Sequence, residues 1–119
     1  KYPRTEVALS PLVASPLTIT ALEELPLCDL ISLSTGESDS TGCKIWRGAQ
    51  DFVHALLQPE RWSNPTGSPS LLSHFHSCGG TVLELGSGTG LGGLALAALS
   101  DGLLEVTLSD GDSESVGLC

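Results

Sequence analysis

The chain has 119 residues, with 14 acidic against 5 basic side chains for a net charge of −9, and is 40% hydrophobic and 16% charged. That length holds one domain or part of one, able to bury roughly two-thirds of the surface its unfolded form exposes. The composition excludes a highly charged disordered polymer. The acidic surplus excludes nucleic acid as a partner; it serves solubility, or suits a basic partner such as a lysine-bearing protein segment.

The longest apolar run, Leu91 to Leu99, meets Ser100-Asp101-Gly102 far short of the ~20 residues a membrane helix needs, so no membrane association is expected. No basic-then-apolar leader opens the chain, and Lys1 stands where Met would begin a natural product, so the true start is expected upstream. Cys28, Cys43, Cys78 and Cys119 form no C-x-x-C pair. They read as reduced thiols of an intracellular protein, cytoplasmic and extending to the nucleus.

Residues 1–40 form an N-terminal segment in which Leu17–Thr20 and Leu30–Leu33 are short β-like runs, expected to make a small hairpin or edge sheet. Ser34 to Gly42 is a polar turn-former cluster. From Trp46 the apolar residues Ala49, Phe52, Val53, Leu56 and Leu57 follow at helical spacing, and Pro59 is expected to end that helix. Ser63 to Pro69 reads as a loop, with Leu71, Leu72 and Phe75 lining a short helix after it.

Thr81–Leu85 reads as a buried strand, Gly86–Gly90 as a glycine loop and Leu91–Leu99 as a small-residue helix. Leu104–Leu108 is then a second strand running into Ser109-Asp110. Strand, glycine loop, helix, strand and acid make one βαβ unit with an expected right-handed crossover. A chain that turns directly from strand into helix needs positive φ and no β-carbon in the way of a ligand, and the helix start offers unpaired N–H groups at a positive dipole end. Asp110 falls roughly 20 residues beyond the loop, where a carboxylate meets the ribose hydroxyls in a nucleotide-binding βαβ unit.

Gly88-Thr89-Gly90-Leu91-Gly92-Gly93 also satisfies the dinucleotide pattern G-x-G-x-x-G. Register argues against it: the turn begins after Leu85, so the loop glycines are Gly86, Gly88 and Gly90. Glu84, two residues before the first of them, is awkward beside a pyrophosphate. It suits a cofactor with an ammonium group and no phosphate, and S-adenosylmethionine is such a cofactor.

Val82–Leu91 resembles the first motif of class I (seven-β-strand) methyltransferases. With Thr41–Trp46 upstream and Val106–Gly111 downstream, the chain is similar to the lysine protein methyltransferases that modify calmodulin and elongation factors. The resemblance implies an α/β, Rossmann-like fold with a mostly parallel sheet flanked by helices, of which residues 41–119 are the N-terminal half. It implies that the loop of Gly86, Ser87, Gly88 and Gly90 passes under the methionine part of the cofactor. Glu84 would also line the site, Asp110 would hold the ribose, and Trp46 would pack on the cofactor. The residue after this Trp is acidic in many relatives, and here it is Arg47. The acidic-x-x-aromatic motif lining the substrate lysine channel would lie beyond Cys119, as would the later strands. The chain is therefore expected to be a fragment, poorly folded and inactive alone, with Val82, Leu83 and Leu85 beside an open sheet edge. No catalytic residue is identified within it.

Each site residue has a plainer reading. The glycines would form a ligand-free turn, Asp110 or Asp112 would cap a helix, Glu84 would satisfy a helix N-terminus, and Trp46 would be core. His74, His76 and Cys78 lack a fourth ligand nearby, so no metal is expected. A pseudoenzyme or interaction remnant and an NAD-dependent oxidoreductase are the competing functions.

Overall fold

The computed structural model of the protein describes residues 2–22, 41–58 and 70–119. In chain order these form strands β1 (Arg4–Val7) and β2 (Leu17–Thr20), a 3-10 turn at Thr41–Cys43, and helices α1 (Arg47–Leu57) and α2 (Leu71–Cys78). Strand β3 (Gly80–Leu85), helix α3 (Leu91–Leu99), strand β4 (Leu104–Ser109) and the one-turn helix α4 (Ser113–Val116) follow.

Leu17–Thr20 forms a strand, and its partner among the described residues lies behind it in sequence. β2 pairs antiparallel with β1, Arg4 opposite Thr20 through Val7 opposite Leu17; the second β-like run, Leu30–Leu33, lies outside the described residues. R-T-E-V carries a single apolar side chain at its end, and Arg4, Thr5 and Glu6 are exposed. Its place is set by the backbone ladder and by burial of Ile19 across from it. The ladder continues into the Ala21 N–H, which donates to the Pro3 carbonyl (3.0 Å). The Leu22 N–H then donates to the Cys43 carbonyl (2.8 Å), tying this segment to the turn before α1.

Helix α1 turns its apolar stripe inward: Val53, Ala55 and Leu56 are buried, and Ala49, Phe52 and Leu57 pack against the same core. His54 stays exposed, and Pro59, expected to stop the helix, lies outside the described residues. Ser70 caps α2 by accepting the Ser73 N–H (3.1 Å), and Leu72 and Phe75 pack on the core from there. The H-x-H-x-C run is split by this helix: His76 Nε2 lies 3.1 Å from the Leu99 carbonyl, whereas His74 Nε2 faces Cys78 Sγ at 3.6 Å.

Strands β3 and β4 pair in parallel, Gly80 opposite Leu104 through Leu85 opposite Ser109, with α3 as the crossover. An all-apolar helix must be enclosed. Leu91, Ala95, Leu96 and Leu99 are buried, and α3 packs on α1, β4 and β2. Leu9 and Ile19 from the N-terminal segment share this core with Leu56, Leu91 and Leu96. Each such fully buried aliphatic side chain contributes about 1.5–3 kcal/mol of transfer free energy.

The alternation of a strand corrects the expected burial of Thr81–Leu85: no residue of β3 is fully buried. Val82 faces the core, whereas Leu83 and Leu85 point away from it at 60% and 75% exposure, beside exposed Thr81, Glu105 and Thr107. Among the described residues β3 pairs only with β4, so its other edge is open as expected, and Leu83 and Leu85 add a bare sheet face to it. The described architecture is mixed α/β, with one parallel strand pair.

Candidate functional site

The turn out of β3 is built for close backbone approach. Gly86 takes φ +65°, and the Ser87 N–H donates to the Ser109 carbonyl (3.0 Å), fastening the loop to the end of β4. Gly88 lies in the left-handed region as well, and a β-carbon there would stand 2.9 Å from the Gly42 carbonyl oxygen. Asp110 completes the fastening: its Oδ2 accepts the Gly88 N–H (2.7 Å) and its Oδ1 the Asp112 N–H (2.9 Å). Each carboxylate oxygen keeps a further lone pair for a ligand hydroxyl.

Glu84 serves the helix that follows. Its Oε2 accepts the Gly93 N–H (2.8 Å), one of the first-turn donors that α3 cannot satisfy internally. Burial, the larger effect, pushes the Glu84 carboxyl above its ordinary value, and the Gly93 bond opposes it. Gly92 and Gly93 make this contact possible. A β-carbon on Gly92 would stand 2.8 Å from Glu84 Oε1, and one on Gly93 would collide with Leu108 and come within 2.6 Å of Glu84 Oε2. Glu84 thus satisfies a helix N-terminus while it lines the cavity described next.

The opposite wall comes from the 3-10 turn and the start of α1. Cys43 is fully buried, 3.7 Å from the Ser115 hydroxyl, and Gly42 lies so close to that hydroxyl that no β-carbon fits. Ser115 is itself gripped by Asp112, which caps α4: its Oδ2 accepts both the Ser115 N–H (3.0 Å) and the Ser115 O–H (2.6 Å). The Ser115 hydroxyl bond is the chief reason the Asp112 carboxyl titrates below its ordinary value. Trp46 is the N-cap residue of α1, half exposed at 50%, with its Nε1–H donating to the Thr41 carbonyl (2.8 Å). The Lys44 ammonium stands 5.8 Å above the Trp46 ring.

Between these walls lies a cavity of about 850 Å³, within the ~300–1,000 Å³ of small-ligand sites. Six of the seven residues expected at the site line it: Trp46, Glu84, Gly86, Ser87, Gly88 and Asp110. Gly90 does not. It is the N-cap of α3, and the space on its open side holds Cys119, Leu108 and Leu94. The Cys119 thiol donates to the Gly88 carbonyl (3.3 Å), and burial above all, then the charges of Glu84 and Asp110, raises its pKa. The helix-capping role left open for Asp110 falls to Asp112. Thr41, Lys44, Thr89 and Gly92 also line the cavity, and reading the chain for motifs passes over their roles. Thr41 and Lys44 lie in the Thr41–Trp46 block and Thr89 in the Val82–Leu91 motif, while Gly92 belongs to a glycine pair inside an otherwise apolar helix.

The donor set suits S-adenosylmethionine. The Ser87 hydroxyl oxygen is buried without a hydrogen-bond partner in a residue only 9% exposed on the cavity wall, and a buried polar group without a partner costs about 1–3 kcal/mol. Three acids, Glu84, Asp110 and Asp112, border a cavity whose expected ligand carries an ammonium, a sulfonium and two ribose hydroxyls. A family profile described as lysine methyltransferase matches residues 28–117, more than half of the chain. No curated protein and no solved structure gives a match.

Proposed function

This chain belongs to the lysine methyltransferase family, and from that premise we propose that its cavity binds S-adenosylmethionine for methyl transfer to a protein lysine, as in the calmodulin- and elongation-factor-modifying group. The observation that carries the reading is the convergence of Trp46, the Gly86–Gly88 loop and Asp110 on one cavity, although they come from three separate stretches of sequence. Asp110 fastens the loop and keeps acceptor capacity for the ribose hydroxyls. Glu84 offers a carboxylate to a cationic group while it holds the start of α3.

Bound there, the cofactor supplies an activated methyl group for in-line displacement by an amine. The chain's own contribution is alignment: a loop pinned at Ser87 and Gly88 presents its ligand in one orientation, and proximity is the chief lever in such a transfer. The acidic surface, at net charge −9, complements a lysine-bearing segment. Calorimetric titration tests the reading. S-adenosylmethionine is expected to bind and NAD not to bind; binding of NAD alone would reverse it.

A further inference from the structure

We propose that Lys44 is the counter-ion for the carboxylate of the cofactor's methionine moiety, and so a specificity-determining residue of the site. The inference rests on the cofactor reading above and adds the one charge that reading leaves unmatched. S-adenosylmethionine carries a single carboxylate, and three of the four ionisable residues on the cavity wall, Glu84, Asp110 and Asp112, repel it. Among the described residues lining the cavity, Lys44 alone is basic.

Its surroundings leave the ammonium available. Lys44 forms no ion pair among the described residues; its neighbour is the Trp46 ring at 5.8 Å. The nearby Arg47 is committed elsewhere, with Nε 3.2 Å from Asp51 Oδ1 on the exposed side of α1. Backbone pairing fixes where Lys44 starts: it bridges Leu22 in parallel, and its N–H donates to the Thr41 carbonyl (3.3 Å). The face of the Trp46 ring attracts the ammonium and so favours its staying beside the cavity wall that both residues line. The first turn of α1 adds to this. Its N-cap Trp46 supplies no side-chain cap, and Gly48 borders the same cavity with nothing within 4 Å of where a β-carbon would stand.

The test uses two ligands that differ only in the group in question, S-adenosylmethionine and decarboxylated S-adenosylmethionine, titrated calorimetrically into wild type, Lys44→Met and Lys44→Arg. Wild type is expected to prefer the carboxylated ligand about tenfold, the scale of one charge-assisted contact. Lys44→Met should lose that factor for S-adenosylmethionine and leave the decarboxylated analogue unchanged, and Lys44→Arg should keep the preference. Equal binding of the two ligands by wild type overturns the assignment, as does an equal loss for both in a Lys44→Met protein with an unaltered melt. A single added methyl on Lys44 after incubation with S-adenosylmethionine also overturns it, because the amine would then face the sulfonium. If wild type binds neither ligand, the cofactor reading itself falls.

Discussion

The cavity wall from Glu84 to Gly92 is assembled inside one strand–loop–helix unit, whereas the wall from Thr41 to Phe52 reaches the same cavity only through tertiary packing. In the first, the holding groups lie within the βαβ unit itself: Glu84 grips Gly93, Gly90 donates its N–H to the Ser87 carbonyl (2.8 Å), and the end of β4 takes the Ser87 and Gly88 N–H groups through Ser109 and Asp110. In the second, the turn at Thr41–Cys43 is held from outside, by Leu22 on one side and Ser115 on the other, and α1 is held by the core it shares with α3. One wall is a local device and the other a consequence of the whole fold. Substitutions in the first should therefore change binding, and those in the shared core should change everything together.

The largest expected effect breaks both walls at once. Leu96 is almost wholly buried in the core that joins α3 to α1, so Leu96→Ala should cost about 2–5 kcal/mol in urea unfolding. A loss below ~1 kcal/mol would show that the core is not shared in this way.

Next comes a change meant to act on the local wall. Asp110→Ala removes the acceptor for the Gly88 and Asp112 N–H groups as well as the proposed ribose contact. Charge-assisted hydrogen bonds contribute roughly 1.5–3 kcal/mol each, so S-adenosylmethionine affinity should drop about ten- to hundredfold. An unchanged dissociation constant in a folded variant would reduce Asp110 to a loop fastener.

Glu84→Gln should divide stability from binding. The folded chain holds the Glu84 proton more tightly than the unfolded chain, because burial raises the carboxyl. The stability it contributes is therefore full below the unfolded carboxylate value and declines as pH rises through the folded one. Glutamine keeps an acceptor for Gly93 and carries no titration, so the decline should flatten while S-adenosylmethionine affinity falls. Melting temperatures across mildly acidic to neutral pH, beside calorimetry, show whether the two effects part.

The smallest effect is expected at Arg47. Its pair with Asp51 is an exposed i,i+4 contact, so Arg47→Ala should change stability by less than about 1 kcal/mol. Cofactor affinity should not move, even though the resemblance implies an acidic residue at this position.

The same division explains what could be read from the sequence. β3, the glycine loop, α3 and β4 were legible because each is declared by local periodicity and glycine spacing. Trp46 is ambiguous in a helical stripe; only the fold shows it capping α1 at the cavity rather than buried in the core. β1 was illegible because R-T-E-V carries almost no apolar pattern, and its pairing is a matter of backbone and of Ile19 opposite. Asp110 and Asp112, two residues apart, cannot be ranked by type. The Gly88 N–H and the α4 cap assign their roles. Gly90 looked like a ligand-facing loop glycine by spacing, yet its open side belongs to Cys119 and Leu108.

The opening turn of α3 also has a bearing on mutability. The room beside the backbone is occupied by Glu84 at Gly92 and by Leu108, Glu84 and Val106 at Gly93, so hydrogen is the one side chain that enters without displacing a neighbour. A saturation library over 91–99 should therefore return a gradient of tolerance. Survivors would cluster at the exposed Ala98, aliphatic swaps would pass at Leu94 and Ala97, small residues would pass at position 92 where only the Glu84 carboxylate must give way, and the fewest would pass at position 93. The helix whose composition looks least demanding, a run of leucine, alanine and glycine, would then prove the least free to drift.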